Sequence, residues 1–288
     1  MSTPRTKIKW QLHNYCQAEC SYCPISLRGG EEPRHINDYI AIADKLNKHY
    51  GSLGRITDWV FNGGELLDTD YFPGFLKTCK EGNGSIEITT SGGRLWMDWW
   101  AIEPYVDVLH ISYHYWQNPS LIEYIVDLFL KKGKQIDISV PMRPDFFDDD
   151  LARALEIEKK FGLVVGKSVL YKNAHTELGM FPYTDLQLKI MSGEVSLIEE
   201  RDHHEETTPE QRIEEKFYQN ENKFTGQLCN AGIEMLVIGA NGFTTGSNCN
   251  NDSLGNIWED SWMPPTQPQR CTMIACIHQE DQQITKFP

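Results

Sequence analysis

The chain has 288 residues, enough for one large domain or one domain with a small appendage. At 40% hydrophobic and 24% charged residues it has the composition of a soluble globular protein. A net charge of −14 repels phosphate backbones and disfavours nucleic acid, and no apolar run reaches the roughly 18–20 residues that cross a bilayer. Met1 to His13 is polar and basic and lacks the apolar centre of a secretory signal. The cytosol is therefore the expected compartment, where thiols stay reduced. The Arg5, Lys7 and Lys9 cluster reads as a solvated terminus.

From about residue 7 to 170 apolar strand-like runs alternate with helical patterns. The predicted strands are Ile8–His13, Ile56–Asn62, Ser85–Thr90, Val106–Tyr113, Gln135–Pro141 and Val164–Leu170. The predicted helices are Ile36–Tyr50, Tyr71–Lys80, Pro119–Lys132 and Asp148–Phe161, the last opening on the acidic turn Asp148–Asp150. Strands alternating with helices imply parallel βα units with right-handed crossovers, forming an open sheet or partial barrel. Residues 173–228 read as a polar, irregular bridge or lid, with an acidic stretch Glu199–Glu206 and a helix expected from Thr208, where Thr208-Pro209-Glu210-Gln211 offers a cap. Beyond it, Met235–Ile238 and Gly242–Gly246 read as a hairpin.

Eight cysteines are present, and their distribution is uneven. Cys16, Cys20 and Cys23 form C-x3-C-x2-C directly after the first predicted strand. Three thiolates on one loop suit one corner-open 4Fe–4S cluster, which takes four ligands in all. A zinc loop with His13 as fourth ligand is the alternative, although structural zinc sites favour C-x2-C pairs and a complete ligand set. Phe61-Asn62-Gly63-Gly64-Glu65 ends the second strand, where paired glycines permit close backbone approach and a carboxylate can accept from an ammonium. His110, Ser112 and His114 share a face of the fourth strand, with rim packing the simplest role for the histidines. Arg143 follows the fifth strand and can clamp a carboxylate. Trp96, Trp99 and Trp100 are expected to pack a helix, Cys79 to be a buried helix residue, and His203-His204 to be solvated.

C-x3-C-x2-C with an aromatic, Tyr22, before the third cysteine resembles the radical S-adenosylmethionine (SAM) superfamily. The resemblance implies an α/β fold, a partial (βα)6 TIM-like barrel, with SAM on the open iron of a 4Fe–4S cluster. Gly63, Gly64 and Glu65 match the motif that holds the SAM methionine amine. Tyr22, Ser112 and Arg143 are further candidate SAM contacts, Ser112 by its match to a family position. Thr89-Thr90-Ser91-Gly92 resembles another family segment but departs from it after the threonines.

Cys229, Cys249, Cys271 and Cys276 offer four thiols, which suit a second 4Fe–4S cluster or an all-cysteine zinc site. Cys229-Asn-Ala-Gly232, the hairpin before Cys249, Gly255-Asn256-Ile257 and the closing Cys271-x4-Cys276 resemble the SPASM/twitch extension, in its shorter one-cluster twitch form. The Gly242-to-Cys249 interval is longer than the usual one. The implied organisation is a radical SAM partial barrel over 1–172, a bridge over 173–228, and a small Cys-rich twitch-like extension over 229–288. The implied cofactors are SAM and two 4Fe–4S clusters, with an electron donor such as flavodoxin or ferredoxin as partner. A fully ligated second cluster favours net oxidation. The leading expectation is oxidative modification of a peptide or protein side chain. Dehydrogenation of a small polar metabolite such as a sugar or aminocyclitol is the second. A non-catalytic iron–sulfur or zinc module is the third, which leaves Gly63-Gly64-Glu65 without a purpose.

Overall fold

The computed structural model of the protein describes residues 3–18, 20–23, 28–68, 72–93, 96–174, 177–194, 222–249 and 253–288. Glu199–Glu206, His203-His204 and the helix expected from Thr208 lie outside these residues, as does the side chain of Trp96. The first half alternates β1 (Arg5–Gln11), α1 (Ile36–Ser52), β2 (Ile56–Asn62), α2 (Phe72–Lys80), β3 (Asn83–Thr90), α3 (Trp96–Ile102), β4 (Val108–Ser112), α4 (Pro119–Lys131), β5 (Gln135–Pro141), α5 (Phe147–Phe161) and β6 (Val165–Ser168). β1 to β6 are parallel neighbours in sequence order, the partial barrel that strict strand–helix alternation dictates.

Local chemistry sets the helix ends. The His35 ring accepts from the Asn37 amide at the start of α1, Asn118 caps α4 ahead of Pro119, and Gly162 ends α5 with φ 67°. The strands alternate buried and half-exposed residues. Their buried side, with Trp10, Trp59 and Phe61, meets Tyr39 of α1 and Phe75 of α2 in an aromatic core. Cys79 is fully buried in α2, as expected. Trp99 is buried against Phe129, whereas Trp100 is 62% exposed on the outward side of the short α3.

The other side of the sheet is polar. Gln11 stands in register with Asn62, and Thr89, His110 and Asp137 form a second registered row. Lys7 and Lys9 are not a solvated terminus. They sit on this side of β1 and pair with Glu280, while Arg5 pairs with Asp58.

The C-terminal region continues the same sheet. β10 (Met235–Ile238) lies parallel to β1, with Lys7 opposite Met235, and β11 (Phe243–Thr245) and β12 (Ser253–Asn256) follow antiparallel. Nine strands thus form one sheet among the described residues, and its order ends at β12 and β6. A small second sheet joins β9 (Leu228–Cys229) to β13 (Gln269–Arg270) and β14 (Lys286–Phe287). The region expected to be irregular contains a hairpin, β7 (Tyr171–Ala174) with β8 (Glu177–Met180), and α6 (Asp185–Ser192). Thr184 and Gln187 close a reciprocal capping box on α6. Among the described residues no helix is long and apolar enough to cross a membrane.

Candidate metal centres

After β1 the chain turns across the C-terminal ends of the strands, where barrel folds place their chemistry. There the Cys16–Cys23 loop is docked backbone to backbone. Gly64 N donates to His13 O at 2.8 Å and Glu65 N to Tyr15 O at 3.0 Å. A Cβ on Gly64 would lie 1.8 Å from Tyr15 O, and one on Gly63 2.6 Å from His13 O. The close approach that these glycines permit is therefore to the cysteine loop itself. Gln17 N donates to Asp68, and Arg28 Nε to Cys23 O. Cys20 is buried, while Cys16 and Cys23 are half-buried. Burial pushes the Cys16 thiol up, with Glu65 and Asp68 adding to it, and burial followed by Cys20 and Cys16 pushes Cys23 up. A metal binding here must displace those protons.

Glu65 is 5% exposed, and all of its acceptor capacity is engaged. Oε1 accepts from Leu67 N at 3.1 Å and Thr90 Oγ1 at 2.5 Å, and Oε2 from Ser91 N at 2.8 Å and Ser91 Oγ at 2.5 Å. Thr90 and Ser91, to which the sequence assigned no specific contact, hold this carboxylate. Their position one strand over from the Gly-Gly-Glu turn, at the same end of the sheet, is the signal that points to them.

Tyr22 bonds through its hydroxyl to His114 Nδ1 at 2.7 Å and stacks on that ring. His114 stacks in turn on Trp116, whose Nε1 donates to Cys20 Sγ at 3.1 Å. Burial, with the Arg153 charge adding, pushes His114 down to about 4. It is thus a neutral imidazole near pH 7, hydrogen-bonded through Nδ1 to the Tyr22 hydroxyl. Three rings therefore tie the end of β4 to the cysteine loop, and neither His114 nor Trp116 was assigned a site role from sequence. His110 lies deeper, between Glu87 at 2.9 Å and Asp137 at 3.3 Å, and its bond to Glu87 raises its pKa. Ser112 is half-buried on the same side of β4, opposite Ser139. Arg143 is engaged by the fully buried Asp150, through Nε at 2.9 Å and Nη2 at 2.7 Å, and its guanidinium lies 4.0 Å from the Tyr115 ring.

The four C-terminal cysteines line one small cavity with Ser247, Asp281 and Lys286 among its other walls. The small sheet places Cys229 and, through the Cys271 N to Gln227 O bond of 2.8 Å, Cys271. Cys276 N donates to Asn222 O at 2.8 Å, and Ser247 Oγ lies 2.8 Å from Cys249 Sγ. Burial pushes the Cys276 thiol up to about 12, and Cys249 and Cys229 are near enough to add to that. Among the described residues no three His, Cys, Asp or Glu side chains converge on a single-ion site. Three thiols on one loop and four lining one cavity are donor sets that iron–sulfur clusters use.

No family model matches the chain, and no curated protein does. Solved structures do match. One is anSMEcpe with bound AdoMet, at 13% identity and TM-score 0.55, covering 90% of this chain and 80% of that one. The same protein with AdoMet and Cp18Cys peptide gives TM-score 0.56 at 12% identity, over 90% and 79%. Streptococcus suis SuiB bound to precursor peptide SuiA gives TM-score 0.52 at 13% identity, over 90% and 63%. These neighbours are radical SAM enzymes of the SPASM/twitch type, and the chain has their fold, with a parallel partial barrel and a Cys-rich C-terminal region.

Proposed function

We propose that the protein is a radical SAM enzyme: Cys16, Cys20 and Cys23 would hold a 4Fe–4S cluster, which would supply reductive cleavage of SAM to a 5′-deoxyadenosyl radical for hydrogen abstraction from a peptide or protein side chain that ends oxidised. The observation that carries this reading is the three-thiol loop docked on Gly63 and Gly64 at the C-terminal edge of a parallel barrel, beside a carboxylate held ready. Thr90, Ser91 and the Leu67 amide orient Glu65 for the ammonium of SAM, which would share oxygens those groups already occupy. Asp150 fixes Arg143 and leaves part of its donor fork for the SAM carboxylate or a substrate acid. His114 orients Tyr22, and Ser112 offers a hydroxyl on the inner side of β4. Four C-terminal thiols suit an auxiliary 4Fe–4S cluster that accepts the electron of a net oxidation, with a flavodoxin or ferredoxin as external donor. The peptide-bound states of anSMEcpe and SuiB favour a peptide substrate.

A second reading, dehydrogenation of a small polar metabolite, is favoured by the inner side of the barrel. Gln11, Asn62, Thr89, His110 and Asp137 present hydrogen-bonding groups there in place of the bulky aliphatic layers that fill closed barrels. The test of the cluster assignment is iron and acid-labile sulfide per chain after anaerobic reconstitution. The wild type should hold about eight irons and the Cys16/Cys20/Cys23→Ala variant about four. Equal iron in both would remove the catalytic cluster from this loop.

A further inference from the structure

The four-thiol cavity contains one more donor. Asp281, in the short helix α7 (Gln279–Gln282), is 1% exposed and lines the same cavity as Cys229, Cys249, Cys271 and Cys276. Its two oxygens differ. Oδ1 accepts from Asn248 twice, from the backbone amide at 3.2 Å and from Nδ2 at 2.8 Å. Oδ2 is buried and has no hydrogen-bond partner among the described residues. The cation on the same wall does not relieve it, because Lys286 Nζ donates to the backbone carbonyls of Asp281 and Ile284 at 2.6 and 2.7 Å. A buried carboxylate oxygen without a donor is unfavourable, and more so beside thiols that must ionise to bind metal. Aligning one oxygen through two bonds while leaving the other bare is the arrangement of a metal-binding carboxylate held by its outer partners.

We propose that Asp281 is an iron ligand of the auxiliary cluster through Oδ2, so that the site carries five donors where a 4Fe–4S cluster takes four. This inference rests on the reading of the four thiols as a cluster site. The thiol it makes dispensable is Cys249. Asn248 holds the carboxylate and directly precedes Cys249, so both donors approach from one wall, and Cys249 Sγ already has Ser247 Oγ as a partner.

The Cys16/Cys20/Cys23→Ala background isolates the auxiliary site for iron counting and for EPR of the dithionite-reduced and air-oxidised cluster. Asp281→Asn keeps the shape and the acceptor for Asn248 but removes the anionic ligand. Combined with Cys249→Ala, which removes the spare thiol, it should lower iron from about four to about three per chain and produce a 3Fe–4S signal on oxidation. Asp281→Cys in place of Asp281→Asn should restore about four irons with shifted g-values, and Cys249→Ala alone should keep about four. An unchanged EPR signal and iron content in Asp281→Asn, or loss of the cluster in Cys249→Ala, overturns the carboxylate ligand while leaving the cluster in place. If the triple-Ala background binds no iron at all, the cluster reading falls and the ligand with it. Restoration by Asp281→Cys separates a lost ligand from a lost fold.

Discussion

Glu65 shows how far one side chain constrains the site. Its carboxylate is buried, yet every oxygen lone pair has a donor, and three of the four donors come from Thr90 and Ser91. Glu65→Gln keeps the shape and removes the charge. A hydrogen bond to a charged group contributes about 1.5–3 kcal/mol, so SAM binding by equilibrium dialysis should weaken at least about tenfold. An unchanged dissociation constant would take Glu65 out of the SAM site. His114 makes a prediction about pH. Its folded-state value is about 4 against an ordinary 6.5, so on acidification the unfolded chain takes up this proton first. The stability it contributes is complete above about pH 6.5 and is lost as pH falls from there towards about 4. Buried His13 acts in the same direction, whereas His110, raised by Glu87, contributes below its unfolded value and loses that contribution as pH rises through its folded value. The urea midpoint should therefore fall less steeply between about pH 7 and 4.5 in His114→Gln than in the wild type. Parallel slopes would show that His114 is not buried neutral.

At the scale of elements, the cysteine loop is placed by the turn after β2 rather than by its own sequence. Gly64→Ala puts a methyl group 1.8 Å from the Tyr15 carbonyl, so the loop must move off the sheet. Iron should fall from about eight to about four per chain, the remainder belonging to the C-terminal site. Full iron loading of Gly64→Ala would show that the loop does not need this docking. The six parallel strands are legible because period-two alternation in Gln135–Pro141 and short apolar runs such as Trp59–Phe61 survive in sequence. The pairing of β10 with β1 was not, because Met235–Ile238 is a short apolar run whose partner lies at the other end of the chain. α6 was overlooked although Thr184 and Gln187 spell its capping box. The β7–β8 hairpin was missed because its strands, Tyr171–Ala174 and Glu177–Met180, are too short to show a period.

At the scale of the molecule, β10 to β12 make the C-terminal region an extension of the barrel sheet rather than an appendage. Thr6 Oγ1 to Ile233 O and Tyr50 OH to Gly232 O, both at 2.7 Å, fasten it to the first strand and first helix. The ion pairs of Lys7 and Lys9 with Glu280, and the Asn248 contact to Asp281, link the inner side of β1 with the wall of the four-thiol cavity. Both cysteine sets stand out in the sequence by their clustering, and the four C-terminal thiols do line one cavity. The polar side chains around the sites are not legible in this way, since Thr90, Ser91, His114 and Asp281 are brought in from separate elements. SAM cleavage is the activity proposed for the loop of Cys16, Cys20 and Cys23. It is tested most directly by incubating the anaerobically reconstituted protein with dithionite and SAM and quantifying 5′-deoxyadenosine. Wild type should form it and the Cys16/Cys20/Cys23→Ala variant should not. Equal formation by both, or none by a wild type carrying its full iron, would contradict the assignment.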